Sequence, residues 1–370
     1  MERRRILKGA TAPRATGRTL IIALALLLLA ACTGGNAGPG SSPREASPRP
    51  PSVAGRILVD YATGGGRRLA LFILGGRTTS VVHLRPPAGL SGRTLVNGAF
   101  IGPDGAAYAL LVSGRTARLY RFTQAGRGQP WGRPVPSGMV SPTVSGEGHT
   151  ALVSDCGGTQ LLFVLDLARP RAWRKVGTGC PATLSPDGRK VLYASSGTSL
   201  AEQATYPGGR PEHVVDLTRL GGLTAAGLAH ARISRAAIAW GAGGIAFVAS
   251  SGDRSALVVG GTALGTRIVP LGSAAIVSLV WRPSGELVGF VDQESASGAA
   301  IRVYDPVSDA LREVTSATVG LLGLLWSPDG MLLASFESSG GIIVYDLQGR
   351  VVRSLPTGLP SGPQLDAWAK

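Results

Sequence analysis

With 370 residues, 44% of them hydrophobic, the chain can bury a large core and is too long for one small domain. Its 54 glycines and 25 prolines separate short apolar runs, and long segments of helical periodicity are nearly absent. This pattern excludes an all-helical fold and predicts an all-β protein.

The formal net charge of +15 at pH 7 comes mainly from arginines that are scattered along the chain. Because they do not cluster into a basic stripe, no nucleic-acid partner is predicted. The excess charge has two interpretations: attraction to anionic lipid headgroups or cell-wall polymers, or a compositional bias without function. Removal of residues 1–31, which carry six basic groups and one acidic group, would lower the charge to +10.

The N-terminal segment combines a basic stretch with an apolar run from Leu20 to Ala31. This run holds 12 residues, fewer than the ~20 that a transmembrane helix needs. A basic stretch followed by a short apolar run predicts a signal peptide over residues 1–31.

The end of this run, Leu29-Ala30-Ala31-Cys32, resembles the lipobox of bacterial lipoproteins, in which leucine, a small residue and glycine or alanine precede the cysteine. The resemblance implies that Cys32 carries a diacylglyceryl group, becomes the mature N-terminus and receives a further acyl chain such as palmitate. Two acyl chains anchor a protein stably without a spanning helix. We therefore expect a protein that is lipid-anchored to the cell membrane on its extracytoplasmic side; an uncleaved signal anchor is the alternative.

Residues 32–54 begin at this cysteine and are rich in glycine, proline and serine. Such a segment has almost nothing apolar to bury. It is predicted to be a disordered tether between the lipid and a folded domain at 55–370.

The folded domain contains an even pair of cysteines, Cys156 and Cys180. Export to an oxidising compartment favours a disulfide between them over two free thiols. No Cys-x-x-Cys pair or Cys/His cluster accompanies them, so no metal site is predicted.

A short pattern occurs six times: an apolar residue, three variable residues, and a glycine that opens an apolar run. The copies are Ile101–Gly105, Val144–Gly148, Leu184–Gly188, Trp240–Gly244, Trp281–Gly285 and Trp326–Gly330. Their glycines are 43, 40, 56, 41 and 45 residues apart, a period that indicates a repeat architecture.

The last copy shows the content of one repeat. Its predicted strands are Leu321–Trp326, Met331–Phe336, Gly341–Leu347 and Val351–Leu355. Four antiparallel strands in ~42 residues form one blade of a β-propeller.

The turn from Trp326 to Gly330, Trp-Ser-Pro-Asp-Gly, resembles the turn between the first two strands of TolB-like and WD-repeat-like propeller blades. The resemblance covers about residues 55–370 and implies the propeller fold, although the separate α/β domain of TolB is missing. In such a turn proline presets φ, aspartate accepts hydrogen bonds from backbone N–H groups, and glycine takes a positive φ. The residues assigned to these structural turns are Pro103, Asp104, Gly105, Pro186, Asp187, Gly188, Pro283, Gly285, Pro328, Asp329 and Gly330.

The two ends of the chain predict how the ring closes. Three predicted N-terminal strands lack an inner strand: Arg56–Asp60, Arg68–Leu74 and Thr78–Leu84. Conversely, Gln364–Trp368 is an inner strand with nothing after it, and Trp368 lies 42 residues beyond Trp326, one period further on. We therefore predict seven blades, closed by the C-terminal strand joining the three N-terminal ones. Six blades are the alternative, because the fourth repeat is irregular.

Catalytic chemistry is hard to place on this scaffold, since Asp366 is the only ionisable residue in the predicted inner strands. The four histidines never stand at ligand spacing; they are His83, His149, His213 and His230. No catalytic residue, metal ligand or cofactor is therefore assigned.

Two sets of repeated residues are interpreted as structural. The tryptophans Trp240, Trp281, Trp326 and Trp368 are predicted to pack between blades, with an aromatic binding platform as the alternative. The aspartates Asp166, Asp305 and Asp346 are predicted to cap the turns after third strands.

The longest departure from the period, Leu220–Arg235, is the candidate contact surface and is predicted on the same face as the two cysteines; a tolerated insertion is the alternative.

The whole sequence predicts a monomeric, non-enzymatic propeller lipoprotein that binds a protein or another ligand at the cell envelope. A propeller hydrolase or lyase with a loop-borne active site is the alternative function.

Overall fold

The computed structural model describes residues 53–63, 66–75, 78–87, 90, 95–170, 172–261, 265–273, 275–295, 298–317, 320–338, 340–359 and 364–370. The predicted signal peptide, Cys32 and nearly all of the predicted tether lie outside these residues. Within them, no helix has the length and apolar character that crossing a membrane requires.

The described strands form seven antiparallel sheets of four strands each, so the chain is a seven-bladed β-propeller. Blade 1 combines three N-terminal strands with the last strand of the chain: β1 (Ala54–Thr63), β2 (Gly66–Gly75), β3 (Thr78–Leu84) and β28 (Gln364–Ala369). The six-blade alternative is wrong, because the irregular fourth repeat forms a complete sheet.

The other blades follow one another along the chain. Blade 2 contains β4 (Leu95–Ile101), β5 (Ala107–Ser113), β6 (Thr116–Phe122) and β7 (Gly128–Pro136). Blade 3 contains β8 (Val140–Val144), β9 (Thr150–Ser154), β10 (Leu161–Asp166) and β11 (Arg174–Thr178). Blade 4 contains β12 (Ala182–Leu184), β13 (Lys190–Ala194), β14 (Ser199–Ala204) and β15 (Glu212–Asp216).

A 3-10 turn (Leu217–Arg219) and the short helix α1 (Gly221–Ala225) precede blade 5. Blade 5 contains β16 (Arg232–Gly241), β17 (Gly244–Ser251), β18 (Arg254–Gly261) and β19 (Gly265–Gly272). Blade 6 contains β20 (Ala275–Trp281), β21 (Val288–Ser295), β22 (Gly298–Asp305) and β23 (Ala310–Ala317). Blade 7 contains β24 (Leu321–Trp326), β25 (Leu332–Glu337), β26 (Gly341–Asp346) and β27 (Val351–Pro356).

The ring closes as predicted. Strand β28 pairs antiparallel with β1, so that Arg56 faces Ala369 and Asp60 faces Gln364. Leu365 of β28 is buried against residues of blades 1 and 7. Strand pairing within blade 1 therefore joins the two ends of the described domain, and packing joins blade 1 to blade 7.

The hydrophobic core is divided among the junctions between neighbouring blades. At the junction of blades 3 and 4, for example, Leu152 and Val164 pack against Leu184 and Tyr193. This arrangement follows from the strand pattern, because side chains of a strand alternate between the two faces of its sheet and both faces of each blade are covered.

The ring has two ends, which carry different connections. We call the end with the first-to-second and third-to-fourth strand connections the turn face, because the repeated glycine turns lie there. We call the other end the bridge face, because it carries Cys156 and Cys180. Antiparallel strand order places all connections of one type at the same end.

Candidate functional site

The Ser-Pro-Asp-Gly turns are closed by a small hydrogen-bond network. In blade 4 the Ser185 hydroxyl donates to Asp187 Oδ1 (2.6 Å) and accepts from the Lys190 N–H (2.9 Å). Asp187 Oδ1 also accepts from the Arg189 N–H (3.0 Å), as the sequence predicts for the turn aspartate. Gly188 has φ of 69°, a conformation that favours glycine.

These turns also hold neighbouring blades together. The Arg282 Nε donates to the carbonyl oxygen of Gly330 in the next blade (2.9 Å), and Arg56 Nη1 donates to that of Gly105 (2.6 Å). The Glu147 N–H donates to Pro186 O (3.0 Å). The repeated residues therefore serve the scaffold at the turn face.

Acid should weaken the Asp187 turn. The hydrogen bond from Ser185, followed by that from the Arg189 backbone, holds the pKa of Asp187 below its ordinary value of 3.8. A lowered folded-state pKa contributes stability above pH ~4, and this contribution is lost as the pH falls through the folded pKa. We expect Asp187→Asn to cost about 1 kcal/mol of unfolding free energy at pH 7 and less at pH 3, measured by urea unfolding. An equal cost at both pH values would contradict this assignment.

The inner strands are irregular where they border the centre of the ring. Pairing shifts register at Asn97–Gly98, between Ile276 and Ser278, and at Gly323. The Asn97 Nδ2 donates to Met139 O, immediately before β8 of blade 3 (3.0 Å), and Ser278 Oγ accepts from the Leu324 N–H (3.1 Å). These polar side chains link successive blades.

Asp366 occupies the corresponding bulge of β28 and is half-buried. The sequence predicts the inner strand of blade 5 at Ala236–Trp240, but β16 starts at Arg232. The prediction that Asp366 is the only ionisable inner-strand residue is therefore wrong. The additional residues extend β16 because Ile233 is buried in the core between blades 4 and 5, ahead of a bulge that ends at Ile238.

The histidines are dispersed, as predicted. All four are exposed, and the Nδ1 of His83 lies 3.1 Å from the Tyr61 hydroxyl. In the part of the chain that the structure describes, no group of three His, Cys, Asp or Glu residues could hold a metal ion.

The repeated tryptophans pack between blades. Trp281 is buried against Gly241 and Gly243 of blade 5, and Trp326 lies against Gly289 of blade 6. The Trp326 Nε1 donates to Val280 O (3.4 Å). These contacts support the packing interpretation over the binding platform.

The aspartates that end third strands cap the following turns. Asp166 Oδ1 accepts from the Ala168 N–H (2.9 Å), and Asp305 and Asp346 accept equivalent backbone bonds from Val307 and Gln348. The predicted capping role is therefore confirmed.

Cys156 and Cys180 form a disulfide on the bridge face, with their Cα atoms 5.3 Å apart. The bond joins the β9–β10 loop to the segment that leads from blade 3 into blade 4. In the same loop, buried Asp155 accepts hydrogen bonds from the backbone of Gly157, Gly158 and Thr159. Burial alone would raise the pKa of Asp155, but these bonds and that of the Thr159 hydroxyl outweigh it and hold the pKa low.

The expected contact surface at Leu220–Arg235 needs correction. The segment lies on the bridge face, as predicted, but it is a short helix followed by a strand and not an open loop. Leu223, Leu228 and Ile233 are buried in the core between blades 4 and 5. The Ile233 N–H donates to Gly197 O (2.8 Å). The irregular sequence therefore fills a junction, because its apolar residues find partners at distant positions in the chain.

The described residues form two clefts of interest on the turn face. The larger, about 490 Å³, lies between blades 3 and 4, and its polar lining consists of His149, Thr150, Asp166, Arg169, Arg174 and Thr205. The smaller, about 380 Å³, lies between blades 1 and 2. Its Arg121 is paired with Asp104 (2.7 Å), and its Arg56 donates to the Gly105 carbonyl.

The larger cleft differs from the smaller one because the Nε of its Arg174 is buried and has no hydrogen-bond partner among the described residues. Sequence reasoning missed Arg174, since an isolated arginine in a strand gives no sign of what its side chain meets. This cleft is the candidate functional site. The predicted turn residues lie at the same face but outside it, and Cys32 is outside the described residues.

The fold resembles known propellers at low sequence identity. TolB from Acinetobacter baumannii matches 85% of this chain at 16% identity with a TM-score of 0.49, and the chain spans 66% of TolB. The Myceliophteria thermophila Cps50 (Swd1) β-propeller domain matches 72% of this chain and 87% of its own, at 15% identity and a TM-score of 0.53.

The periplasmic gluconolactonase PpgL of Pseudomonas aeruginosa matches 85% of this chain and 99% of its own, at 17% identity and a TM-score of 0.54. No protein-family model and no curated sequence matches this chain. At these identities the two matches with TM-scores above 0.5 establish the propeller fold alone.

Proposed function

We propose that this protein is a lipid-anchored, extracytoplasmic propeller that binds a protein or another ligand at the cell envelope without chemically changing it. One observation carries the binding role: a cleft remains open on the turn face, and the buried Nε of its Arg174 has no hydrogen-bond partner among the described residues. A rigid ring with one such cleft is suited to recognition.

The membrane anchor is supported by the sequence Leu29–Cys32 and by the short apolar run before it. A tether of about 22 residues after Cys32, rich in glycine and proline, would leave the propeller free to reach a partner near the membrane. A monomer is expected, because β28 covers the edge of β1 that would otherwise be open to another chain.

Replacement of Cys32 tests the anchor and the partner together. We expect Cys32→Ala to lose palmitate labelling and to move from the membrane fraction to soluble or unprocessed protein. Cross-linking in intact cells, followed by identification of co-purifying species, should give a defined partner set for the wild type and a reduced set for Cys32→Ala. The control is Cys156→Ala, which should keep its lipid label; labelling that persists in Cys32→Ala would overturn the anchor.

A propeller hydrolase is the second candidate, because His149 and Asp166 line the same cleft as Arg174. An imidazole and a carboxylate are groups that general acid–base catalysis uses. Since one structural neighbour is named a gluconolactonase, sugar-lactone hydrolysis is the reaction to assay. Turnover by the wild type that His149→Ala abolishes would favour the enzyme, and turnover no faster than in buffer supports the binding protein.

A further inference from the structure

Arg174 occupies a position that recurs in three blades. It faces Val164 of the neighbouring strand in blade 3, as Arg312 faces Val303 in blade 6 and Arg353 faces Val344 in blade 7. In each case the valine stands two residues before an aspartate that caps a turn, namely Asp166, Asp305 and Asp346. The three arginines can therefore be compared directly.

The three guanidinium groups have different surroundings. Arg353 Nη2 donates to Thr78 O (3.0 Å) and to Thr79 Oγ1 (2.6 Å), so this side chain joins blade 7 to blade 1. Arg312 is exposed to solvent. Arg174 is half-buried, and its Nε meets neither water nor a hydrogen-bond acceptor among the described residues.

A buried guanidinium N–H without a hydrogen-bond partner is unfavourable, because burial removes hydration that no protein group replaces. Burial accordingly lowers the pKa of Arg174. An arginine nevertheless stays charged in proteins, so the cost is not avoided by losing a proton. Arg174 therefore differs from Arg312, which is exposed to water, and from Arg353, which is hydrogen-bonded to blade 1.

The rest of the cleft lining suits a small anion. Arg169 adds a second guanidinium, whereas Asp166 adds one carboxylate whose Oδ1 already accepts the Ala168 and Arg169 N–H groups. The Thr205 hydroxyl is held in place because its single proton is shared between Gly188 O (2.9 Å) and Arg189 O (3.0 Å). The balance of charge is positive, and a volume of about 490 Å³ lies in the range of small-molecule sites.

We propose that the cleft between blades 3 and 4 binds a carboxylate or phosphate group of a small molecule, with Arg174 as the principal ligand-binding residue and Arg169 as the second. The planar guanidinium can donate two parallel hydrogen bonds to either group. This inference rests on the proposed binding function and names its ligand class.

The test is calorimetric titration of the full-length protein in detergent with glucuronate, glucose 1-phosphate and glucose. The first two carry a carboxylate and a phosphate on similar rings, and glucose is their uncharged counterpart. We expect saturable binding of at least one anion and none of glucose. Binding of glucuronate would identify a carboxylate as the recognised group, and binding of glucose 1-phosphate would identify a phosphate.

Arg174→Gln is expected to weaken anion binding about tenfold or more, the effect of losing a charge-assisted hydrogen bond. Arg312→Gln, at the same register position in blade 6, is the matched control and should bind like the wild type. Arg169→Gln, which changes an exposed side chain, should weaken binding severalfold; thermal unfolding of each variant reports whether the fold is kept.

Two results would overturn the proposal: no saturable anion binding by the wild type, which would mean that water fills the cleft, or unchanged affinity in both Arg174→Gln and Arg169→Gln. Neither result bears on lipid labelling or on partners captured in cells, so failure of this site and failure of the proposed function are distinguishable.

Discussion

Deletion of residues 364–370 is expected to abolish the folded ring. These residues form β28, which supplies the inner strand of blade 1. Leu365 is 6% exposed, and the Trp368 Nε1 donates to Ala54 O (3.2 Å). Loss of one buried leucine or tryptophan commonly costs about 2–5 kcal/mol, and a domain has only about 5–15 kcal/mol in total. Circular dichroism should therefore show no cooperative thermal transition.

The unpaired edge of β1 should also make the truncated protein aggregate, which size-exclusion chromatography detects. Deletion of Lys370 alone is the control and should leave a monomer, since this residue is exposed. A synthetic peptide of residues 360–370 added in trans should restore soluble protein in proportion to its concentration. A truncated chain that stays monomeric with the wild-type melting temperature would show that closure by β28 is dispensable.

Loss of the Cys156–Cys180 disulfide is expected to lower the free energy of unfolding by about 3 kcal/mol, because the bond closes a loop between cysteines 24 positions apart. Urea unfolding of Cys156→Ala, compared with the wild type, measures this loss. The wild type in reductant should match the variant in oxidising buffer.

The double variant Cys156→Ala/Cys180→Ala is the control, since reductant should leave its midpoint unchanged. Equal midpoints for oxidised and fully reduced wild type would contradict a stabilising role. Because Asp155 and its backbone bonds lie in the same loop, reduction is expected to loosen the bridge face and to leave the cleft on the turn face intact.

The architecture of the ring could be predicted from local sequence signals. The turn at Pro328–Gly330 recurs because each blade needs the same reversal of direction, and the strands that follow alternate in the same way. Strands β3 and β24 have the predicted bounds. The closure by β28 followed from counting strands at the two ends of the chain.

The irregular segment after blade 4 could not be predicted in the same way. Leu223 and Leu228 are buried by residues of blade 4 and by residues of blade 5 that come later in the chain. A pattern within the segment does not contain those partners, so its apolar residues looked like part of an open loop. The same limit explains why the strand β16 was predicted to start four residues late.

The candidate site shows most clearly what a local sequence pattern cannot predict. Arg174, Arg312 and Arg353 have equivalent places in their blades, yet one is half-buried without a partner at Nε, one is exposed, and one bonds to the next blade. The sequence alone determined the repeat, because each blade after the first is formed by one continuous segment, and it indicated the closing strand through the incomplete sets of strands at its two ends. The choice of seven blades over six was made by the tertiary structure, in which the irregular fourth repeat forms a complete sheet. Only the tertiary structure decided which arginine has a buried Nε without a partner, because desolvation and hydrogen bonding depend on the blade packed alongside.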